Sequence, residues 1–525
     1  MKHKVAAGGT KIQKGYMVFW NMIATIFFVA VFIIFPLYYQ EKYLNMSYHK
    51  WIFYVTTIIL FLFSCLPLML IRKFLCIERR RYVISDYFVF VYGILAFFTY
   101  ANCVDQKAAF MGTDGWYMGL VAQLLFVCSY LVFSQWEVSA RSAIIINGFG
   151  SVFTFVVAIC QRYGNDFLHL YWEMPDEIVR DYLSTIGNRT WFSAYVCTVF
   201  PIGVYLFWNA RKRMQLLVWG AYTVIAFACL VTTNSDSAYA GAFVVLFLLF
   251  LISFGNSNKM QRYGLVLCMW FGACVLMALL RIPYKSKVRL LRGLSKVFLD
   301  WRIAMPCLLL AILLYFLLKV SGKRIDCLNK EHWRKNILLG ILMLFIILII
   351  LIVLNTTGIL QSIFGITIRN QYLMFDDAWG DFRGSSWKLT VKMFNELPLK
   401  QKLFGVGPDC FAYYAYSDAE YSQYLNGFWG EAILANAHNE WLNSFFCMGI
   451  LGGLVYISIF VCVMIYCLKR TDNKNTNSIV PAIGLCIAGY MAHNFFCYQQ
   501  VSATGVIFVL MGIAMCQSKE LIKSS

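Results

Sequence analysis

Long apolar runs constrain the fold of this 525-residue chain more than any other feature. Each run is about 20 residues long, the length that a helix needs to cross the hydrocarbon core of a bilayer. The runs are continuous and do not alternate with polar residues, which favours helices over a β-barrel. We therefore predict an all-α polytopic membrane protein with about fourteen transmembrane helices. Their predicted bounds are 17–39, 51–71, 87–103, 116–134, 142–160, 191–209, 214–232, 237–254, 263–280, 303–320, 337–355, 438–467, 479–497 and 502–517.

Clusters of basic residues predict the orientation of these helices. If the N-terminus is cytoplasmic, all of the main clusters fall on the same side of the membrane. They are Arg72 with Lys73, Arg79 with Arg80 and Arg81, Arg211 with Lys212 and Arg213, Lys323 with Arg324, Arg334 with Lys335, and Lys469 with Arg470. The net charge of +19 then lies on the cytoplasmic side, as the positive-inside rule expects. We predict that both termini are cytoplasmic, and because topology explains the charge, no nucleic-acid partner is implied.

One loop departs from this charge rule. Residues 281–302, here called the basic segment, lie outside in the predicted topology and are nevertheless strongly basic. One interpretation is an interfacial helix whose apolar face, which includes Leu291 and Phe298, contacts lipid while its basic residues contact head groups. The other is a segment that gathers anionic lipid pyrophosphates toward a site. The two interpretations are compatible.

The chain is predicted to form a single integral membrane domain over residues 1–525. The longest connection, residues 356–437, is a large outward loop, here called the large loop, of about eighty residues, far longer than ordinary connections. It is rich in aromatic and acidic residues, among them Trp379, Asp381 and Trp387. Aromatic rings stack on sugars and carboxylates bind sugar hydroxyl groups, so this composition favours a functional surface. The alternative is a lid that only packs on the helices.

The end of the large loop carries the most informative motif. His438 and Asn439 stand at the start of a long apolar helix, and Gly449 and Gly452 follow within it. Residues 437–452 resemble the signature of the O-antigen ligase/O-antigen polymerase superfamily, which is His, a small polar residue, nine residues and then Gly-x-x-Gly. The resemblance implies a membrane C-type glycosyltransferase with a catalytic histidine. Without it, the histidine is interpreted as an interfacial residue. With or without it, the glycines are interpreted as helix-packing positions that let a neighbour approach closely.

Other segments are similar to the superfamily and occur in the same order. They are 187–195 (its Gly-Asn element), 233–239 (its Thr-x-Ser-Arg-Gly turn), 383–387 (its Arg…Trp pair), 397–398 (its proline) and 404–409 (its Gly-Val-Gly-Pro sequence). Together they cover about the last two-thirds of the chain. The first five predicted helices match only as generic membrane spans.

One departure from the superfamily pattern concerns the charge of the site. Asp236 stands where the turn of the superfamily carries arginine. In the superfamily, outward-facing arginines are expected to hold the pyrophosphate of the lipid-linked donor. We hypothesise that Arg189, in a neighbouring outward position, takes over this cationic role. Alternatively, Asp236 is a helix N-cap, since it precedes the apolar run that begins at Ser237, and the chain is a non-catalytic paralogue.

We assign roles to nine residues on this basis. The catalytic candidates are His438, as general base or acceptor orienter, and Arg383 and Arg189, as clamps on the pyrophosphate. The substrate-binding candidates are Asn439, Asn188, Asp236, Ser235, Trp387 and His493. Arg383 is alternatively one half of an ordinary loop ion pair. No metal and no other cofactor is expected.

These residues predict a glycosyltransferase that joins polyprenyl-pyrophosphate-linked oligosaccharides at the outer face of the bacterial cytoplasmic membrane, polymerising a surface polysaccharide of O-antigen, capsule or exopolysaccharide type. The expected partners are that lipid-linked oligosaccharide and membrane lipids, with a chain-length regulator as a further candidate. One alternative is an O-antigen-type ligase that moves the finished glycan to a lipid or protein acceptor. A second is a lipid-linked oligosaccharide transporter or flippase. A flippase should carry charged residues in mid-helix, whereas most mid-helix positions here are apolar.

Overall fold

The protein is mostly helical in the computed structural model, which describes residues 11–75, 80–285, 288, 290–370, 372–472 and 479–523. Arg79, used above to predict the orientation, lies outside the described residues. The α-helices, numbered in chain order, are α1 Lys11–Val29, α2 Phe35–Leu37, α3 Met46–Phe74, α4 Ile84–Ala101, α5 Gln106–Met111, α6 Leu120–Gln135, α7 Ala140–Arg162, α8 Asp176–Val179, α9 Arg189–Trp208, α10 Arg213–Thr232, α11 Asp236–Ser253, α12 Ser257–Leu280, α13 Gly293–Phe298, α14 Trp301–Val320, α15 Gly322–Asp326, α16 Lys330–Thr356, α17 Ile359–Phe364, α18 Trp379–Glu396, α19 Leu399–Phe404, α20 Phe411–Ser417, α21 Ala419–Trp429, α22 Glu440–Lys469, α23 Val480–Asn494 and α24 Val506–Lys523.

Short irregular elements connect some of these helices. The π-helical turn Ala30–Ile34 joins α1 to α2, a second one, Val501–Gly505, leads into α24, and the 3₁₀ turn Arg470–Asp472 follows α22. Two strands, β1 Tyr182–Leu183 and β2 Gly187–Asn188, pair in an antiparallel hairpin. The hairpin ends directly at the start of α9.

Eleven helices in the described part of the chain are long and apolar enough to cross a membrane. They are α1 continued through α2, and α3, α4, α7, α9, α10, α11, α12, α14, α16 and α22. This finding confirms the prediction of an all-α polytopic membrane protein. The three other predicted spans coincide with the shorter helices α6, α23 and α24, so the count of fourteen and the orientation stay predictions.

Burial differs strongly between the inner and the outer helices. In α9, 83% of the apolar window is buried inside the protein, whereas in α16 the buried share is 0%. The exposed apolar surface of α16 is stable only when lipid surrounds it. The inner helices α9 and α23 carry the buried side chains of Ser193, His493 and Asn494, which positions a polar site in an apolar bundle.

The signature helix α22 is broken at Gly449, which has φ 71°. A Cβ atom here would lie 2.3 Å from the carbonyl oxygen of Leu403 and 2.5 Å from the amide nitrogen of Gly405. Gly407 N–H donates to the carbonyl oxygen of Cys447 (3.1 Å), so the large loop pairs with the broken turn. The close approach of a neighbour that was predicted for Gly449 is therefore confirmed, and the structure adds that glycine is also needed for the break in the helix.

The basic segment packs partly on the helices. Leu291 is buried, and the ring of Phe298 stacks on Tyr239 of α11 with centroids 5.1 Å apart. The prediction that the apolar face of this segment contacts lipid is therefore wrong for Leu291, whereas Phe298 is half-buried and packs on Tyr239. Leu290, by contrast, remains exposed.

Candidate active site

Arg189 is the first residue of α9. Its predecessor Asn188 is the N-cap, whose Oδ1 accepts hydrogen bonds from the N–H (2.8 Å) and the hydroxyl (2.7 Å) of Thr190. The guanidinium of Arg189 pairs with two carboxylates: Nε lies 3.4 Å from Asp181 and Nη2 lies 3.7 Å from Asp381. Because Asp381 belongs to α18, this pair connects the start of α9 to the large loop. The positive charge of Arg189 is thus positioned and partly balanced.

Arg383 follows a left-handed break at residues 380–382 in α18. Its Nε donates to the carbonyl oxygen of Phe496 (2.9 Å) and a terminal nitrogen donates to that of Gly380. Within the described residues, no carboxylate forms an ion pair with Arg383, so the alternative of an ordinary loop ion pair is not supported. Burial is the largest influence on the pKa of Arg383 and lowers it; the nearby carboxylate of Asp381 opposes this lowering and the charge of Arg189 adds to it. A partly buried guanidinium that forms no ion pair within the described residues favours the binding of an anionic ligand.

His438 lies close to this arginine and has the left-handed backbone conformation (φ 49°). Its N–H donates to Oδ1 of Asn436 (3.0 Å). The imidazole stacks on Trp429, with centroids 5.2 Å apart and an interplanar angle of 16°, and it also contacts the ring of Tyr498 at 5.3 Å. Burial lowers the pKa of His438 to about 3, and the positive charge of Arg383 contributes. The imidazole is therefore neutral at pH 7 and able to accept a proton.

Three ring nitrogens near this position are buried and have no hydrogen-bond partner in the part of the chain that the structure describes. They are Nδ1 of His438, Nε1 of Trp387 and Nε1 of Trp429. Trp387 belongs to an aromatic cluster of Phe375, Trp379, Trp387, Phe495 and Phe496. Buried polar groups are normally paired, so this set calls for partners from a ligand.

His493 lies at the centre of a hydrogen-bond network between α9, α11 and α23. Its Nε2 is 2.8 Å from the hydroxyl of Ser193 and 3.0 Å from that of Ser237, and its Nδ1 is 2.7 Å from Oδ1 of Asn494. Ser235 joins the network through Ser193 (3.1 Å). His493 is 0% exposed and both of its nitrogens are used. The role of His493 and Ser235 as substrate-binding residues stays a prediction, and in this structure both serve packing.

The sequence reasoning missed Glu440, which ends this network. Its carboxylate accepts hydrogen bonds from Nδ2 of Asn494 and from the hydroxyl of Tyr456 (2.6 Å). Glu440 directly follows Asn439, whose Oδ1 caps α22 by accepting from the N–H of Leu442 (3.0 Å). An acidic residue at the start of an apolar helix was the available signal, because such residues are costly in a membrane and tend to be functional.

Asp236 connects two segments of the protein. Since α11 begins at Asp236, the N-cap position belongs to Ser235, and the interpretation of Asp236 as the N-cap is wrong. Its carboxylate instead accepts hydrogen bonds from the N–H of Leu294 (2.8 Å) and from the hydroxyl of Tyr372 (2.9 Å). The residue that replaces the expected arginine thus ties the basic segment to the large loop.

The neighbouring residues strengthen this attachment. Asn234 accepts a hydrogen bond from the N–H of Arg292 (2.7 Å), one residue before Gly293. Gly293 has φ 51°, and a Cβ atom there would lie 2.3 Å from the carboxylate of Asp236. Only glycine fits such an approach. The attachment places the backbone N–H groups of Arg292 and Leu294 beside the start of α11.

The structure brings the three predicted catalytic residues into one region, here called the arginine–histidine cluster: Arg189, Arg383 and His438. Trp191, on the first turn of α9, donates to the hydroxyl of Tyr498 (2.7 Å), and the Tyr498 ring contacts His438. The side chains of Arg189 and Arg383 come from α9 and from the large loop. Residues far apart in the chain therefore meet around the signature histidine.

The fold is that of a multi-pass membrane protein whose polar residues gather where α9, α18 and α22 begin. Residues 297–457 match the family model described as O-antigen ligase. The match confirms the resemblance to the O-antigen ligase/polymerase superfamily over this part of the chain. It includes Arg383 and His438 and does not extend to Arg189. A comparison with curated proteins gave no match.

Proposed function

We propose that this protein is a glycosyltransferase that joins polyprenyl-pyrophosphate-linked oligosaccharides at the outer face of the bacterial cytoplasmic membrane. The preferred reaction is polymerisation of a surface polysaccharide. The observation that carries the proposal is the position of Arg383, a partly buried cation without an ion-pair partner among the described residues, close to both Arg189 and a neutral His438. Two cations beside a proton acceptor suit the transfer of a sugar from a pyrophosphate carrier.

In the proposed reaction, the acceptor hydroxyl oxygen attacks the anomeric carbon of the donor sugar. The bond from that carbon to the pyrophosphate oxygen breaks, and its electron pair leaves with the pyrophosphate. Arg383 and Arg189 stabilise the charge that develops there through charge-assisted hydrogen bonds. His438 takes the proton from the attacking hydroxyl as general base. Asn188 and Asn439 position these residues by capping the helices that carry or follow them.

The low pKa of His438 makes its strength as a base depend on the charge of Arg383. With the site empty, burial and Arg383 hold the pKa at about 3, so the histidine is a weak base. A bound pyrophosphate would balance the charge of Arg383 and raise the pKa of His438, although only by the smaller part that this charge contributes, because burial is the larger cause. His438 is then a stronger base in the complex with the donor than in the free protein.

The acceptor also needs access to the histidine. Trp429 covers one face of the imidazole, and Nδ1 of His438 is buried. We expect the Trp429 side chain to move when the acceptor sugar enters, so that its ring stacks on the sugar instead of on His438. The unpartnered Nε1 atoms of Trp429 and Trp387 then become hydrogen-bond donors to sugar oxygens.

Asp236 is compatible with this proposal. Arg189 supplies the second cation, which in the superfamily is expected from the turn. The carboxylate of Asp236 is engaged by Leu294 and Tyr372, so it holds neighbouring segments in place and does not oppose the donor as a free anion. Substitution of Arg189 by alanine tests this division of roles: unchanged product length and yield would exclude it.

The experiment that tests the function is a transfer assay in proteoliposomes with purified protein and authentic polyprenyl-pyrophosphate oligosaccharides. The variants are His438→Ala and, as a matched control, His332→Ala, whose side chain is exposed at the start of α16. A ladder of products from the wild type and from the control, absent in His438→Ala, supports polymerisation. A single shifted product identifies a ligase, which would use the same residues. No transfer by the wild type contradicts the enzyme proposal and favours a transporter.

A further inference from the structure

A second concave surface lies at the far end of α9 from Arg189. Helix α9 has 20 residues, so its ends are about 30 Å apart, which equals the thickness of a hydrocarbon core. At this end, the end of α9, the start of α12 and the second half of α14 enclose an open cleft of about 600 Å³. This cleft is therefore separate from the arginine–histidine cluster and lies at the opposite membrane face.

The lining of the cleft is positively charged. Arg211, Lys259 and Arg262 contribute to it, and within the described residues no carboxylate lines it. One acid of this region, Asp326, accepts hydrogen bonds from the N–H and the hydroxyl of Ser257 (2.7 Å each) and stays out of the lining. The three cations give the cleft a positively charged lining, which attracts phosphate groups.

Two of these cations are held in place by aromatic rings. Nζ of Lys259 lies 4.5 Å from the centroid of the Trp208 ring, and the guanidinium of Arg262 lies 5.7 Å from that of Phe207. Trp208 is itself fixed, since its Nε1 donates to the hydroxyl of Ser253 (2.8 Å). Long cationic side chains lose much conformational entropy when they bind a ligand. Rings that already restrain them reduce this cost.

Part of the cleft lining, on α12 and α14, is apolar. It contains Leu265 and the ring of Tyr315. Helix α14, which carries Tyr315, buries only 11% of its apolar window inside the protein, so its surface faces lipid. A soluble phosphate needs no apolar wall, whereas a lipid presents its acyl chains beside its phosphate. The combination favours a membrane lipid over a free anion.

We propose that this cleft binds the phosphate headgroup of an anionic membrane lipid. Arg211, Lys259 and Arg262 contact the phosphate, while Leu265 and Tyr315 contact the upper part of the acyl chains. The lipid fixes the ends of α9, α12 and α14 relative to one another. The inference does not depend on the proposed glycosyl transfer, because it concerns other residues at the opposite face.

The test is native mass spectrometry of the full-length protein, delipidated in detergent and titrated with one ligand at a time. The ligands are phosphatidylglycerol, phosphatidylethanolamine and inorganic phosphate. We expect one tightly bound phosphatidylglycerol per chain and at least tenfold weaker binding of phosphatidylethanolamine. In the triple variant Arg211→Gln, Lys259→Gln, Arg262→Gln, the affinity for phosphatidylglycerol should fall on the order of 100-fold. If inorganic phosphate displaces the lipid at equal concentration, the cleft is a site for a soluble anion and the lipid proposal fails.

A matched control removes the same charge elsewhere on this face. The triple variant Lys323→Gln, Arg324→Gln, Lys335→Gln changes exposed residues that do not line the cleft. It should keep the wild-type affinity. An equal loss in both triple variants would mean general surface attraction and would overturn the proposal. Should the first triple variant unfold in a thermal scan, Arg262→Gln alone is expected to weaken lipid binding about fivefold, and an unchanged affinity there would also overturn it.

Discussion

Two histidines that each precede an asparagine behave differently in this protein. His438 lies in the arginine–histidine cluster, stacks on Trp429 and leaves Nδ1 without a partner among the described residues. His493 is completely buried and uses both ring nitrogens in hydrogen bonds. Arg383 lies near both of them. The same dipeptide therefore serves two purposes, and its surroundings decide which.

The difference shows how hydrogen bonding distinguishes a candidate catalytic histidine from a structural one in a membrane helix bundle. A histidine with an unsatisfied nitrogen has a vacancy for a substrate proton, whereas one that is fully bonded holds helices together. The network of His493 reaches Glu440, two residues after the signature histidine, through Asn494. We infer that His493 is a positioning residue and that His438 is the catalytic one.

The largest effect is expected for His438→Ala. Loss of a general base should reduce the transfer rate on the order of 10²- to 10⁴-fold. Thermal unfolding should change little, because no described hydrogen bond to the imidazole is lost. Initial rates in proteoliposomes and unfolding curves in detergent measure both quantities. A rate within threefold of the wild type would remove His438 from the mechanism.

Arg383→Lys should have the next largest effect. Lysine keeps the charge but cannot donate to the carbonyl oxygens of Phe496 and Gly380 in the geometry of arginine, nor hold a phosphate through two parallel hydrogen bonds. We expect a loss of transfer of about 10- to 100-fold, measured as the initial rate with saturating acceptor. Arg302→Lys is the control, since its side chain is 74% exposed and pairs with Asp300. Equal rates for both variants would contradict a specific role of Arg383.

His493→Ala should affect stability before activity. It removes the imidazole from the hydroxyl groups of Ser193 and Ser237 and leaves Oδ1 of Asn494 without its donor, at a cost of about 1–2 kcal/mol. We expect a lower unfolding temperature, with the transfer rate at low temperature reduced far less than in His438→Ala. Ser193→Ala, which removes one of these contacts, should lie between His493→Ala and the wild type. An unchanged unfolding temperature together with lost activity would make His493 catalytic instead.

Local patterns account for what the sequence predicted correctly. Apolar runs define the helices, and His438 with Asn439 marks the start of α22 because capping depends on neighbours a few residues away. The contacts of Asp236 could not be predicted, because it meets Tyr372 across 136 residues of the chain. The break at Gly449 likewise depends on the large loop, whose backbone approaches only in the folded protein. Such long-range contacts follow from packing, which no local pattern encodes.

The smallest effect is expected in the pH dependence of transfer. Activity falls with decreasing pH as His438 becomes protonated, because imidazolium cannot accept the hydroxyl proton. In the free protein its pKa of about 3 places this loss at strongly acidic pH.

The acid limb of kcat/KM reports the free enzyme and that of kcat the complex with donor. Since the donor's pyrophosphate balances the charge of Arg383, the kcat limb should lie at higher pH. Arg383→Gln removes that charge permanently and should move the kcat/KM limb upward, although only modestly, because burial is the larger cause of the low pKa. Coinciding limbs in the wild type would show that donor binding does not tune the base.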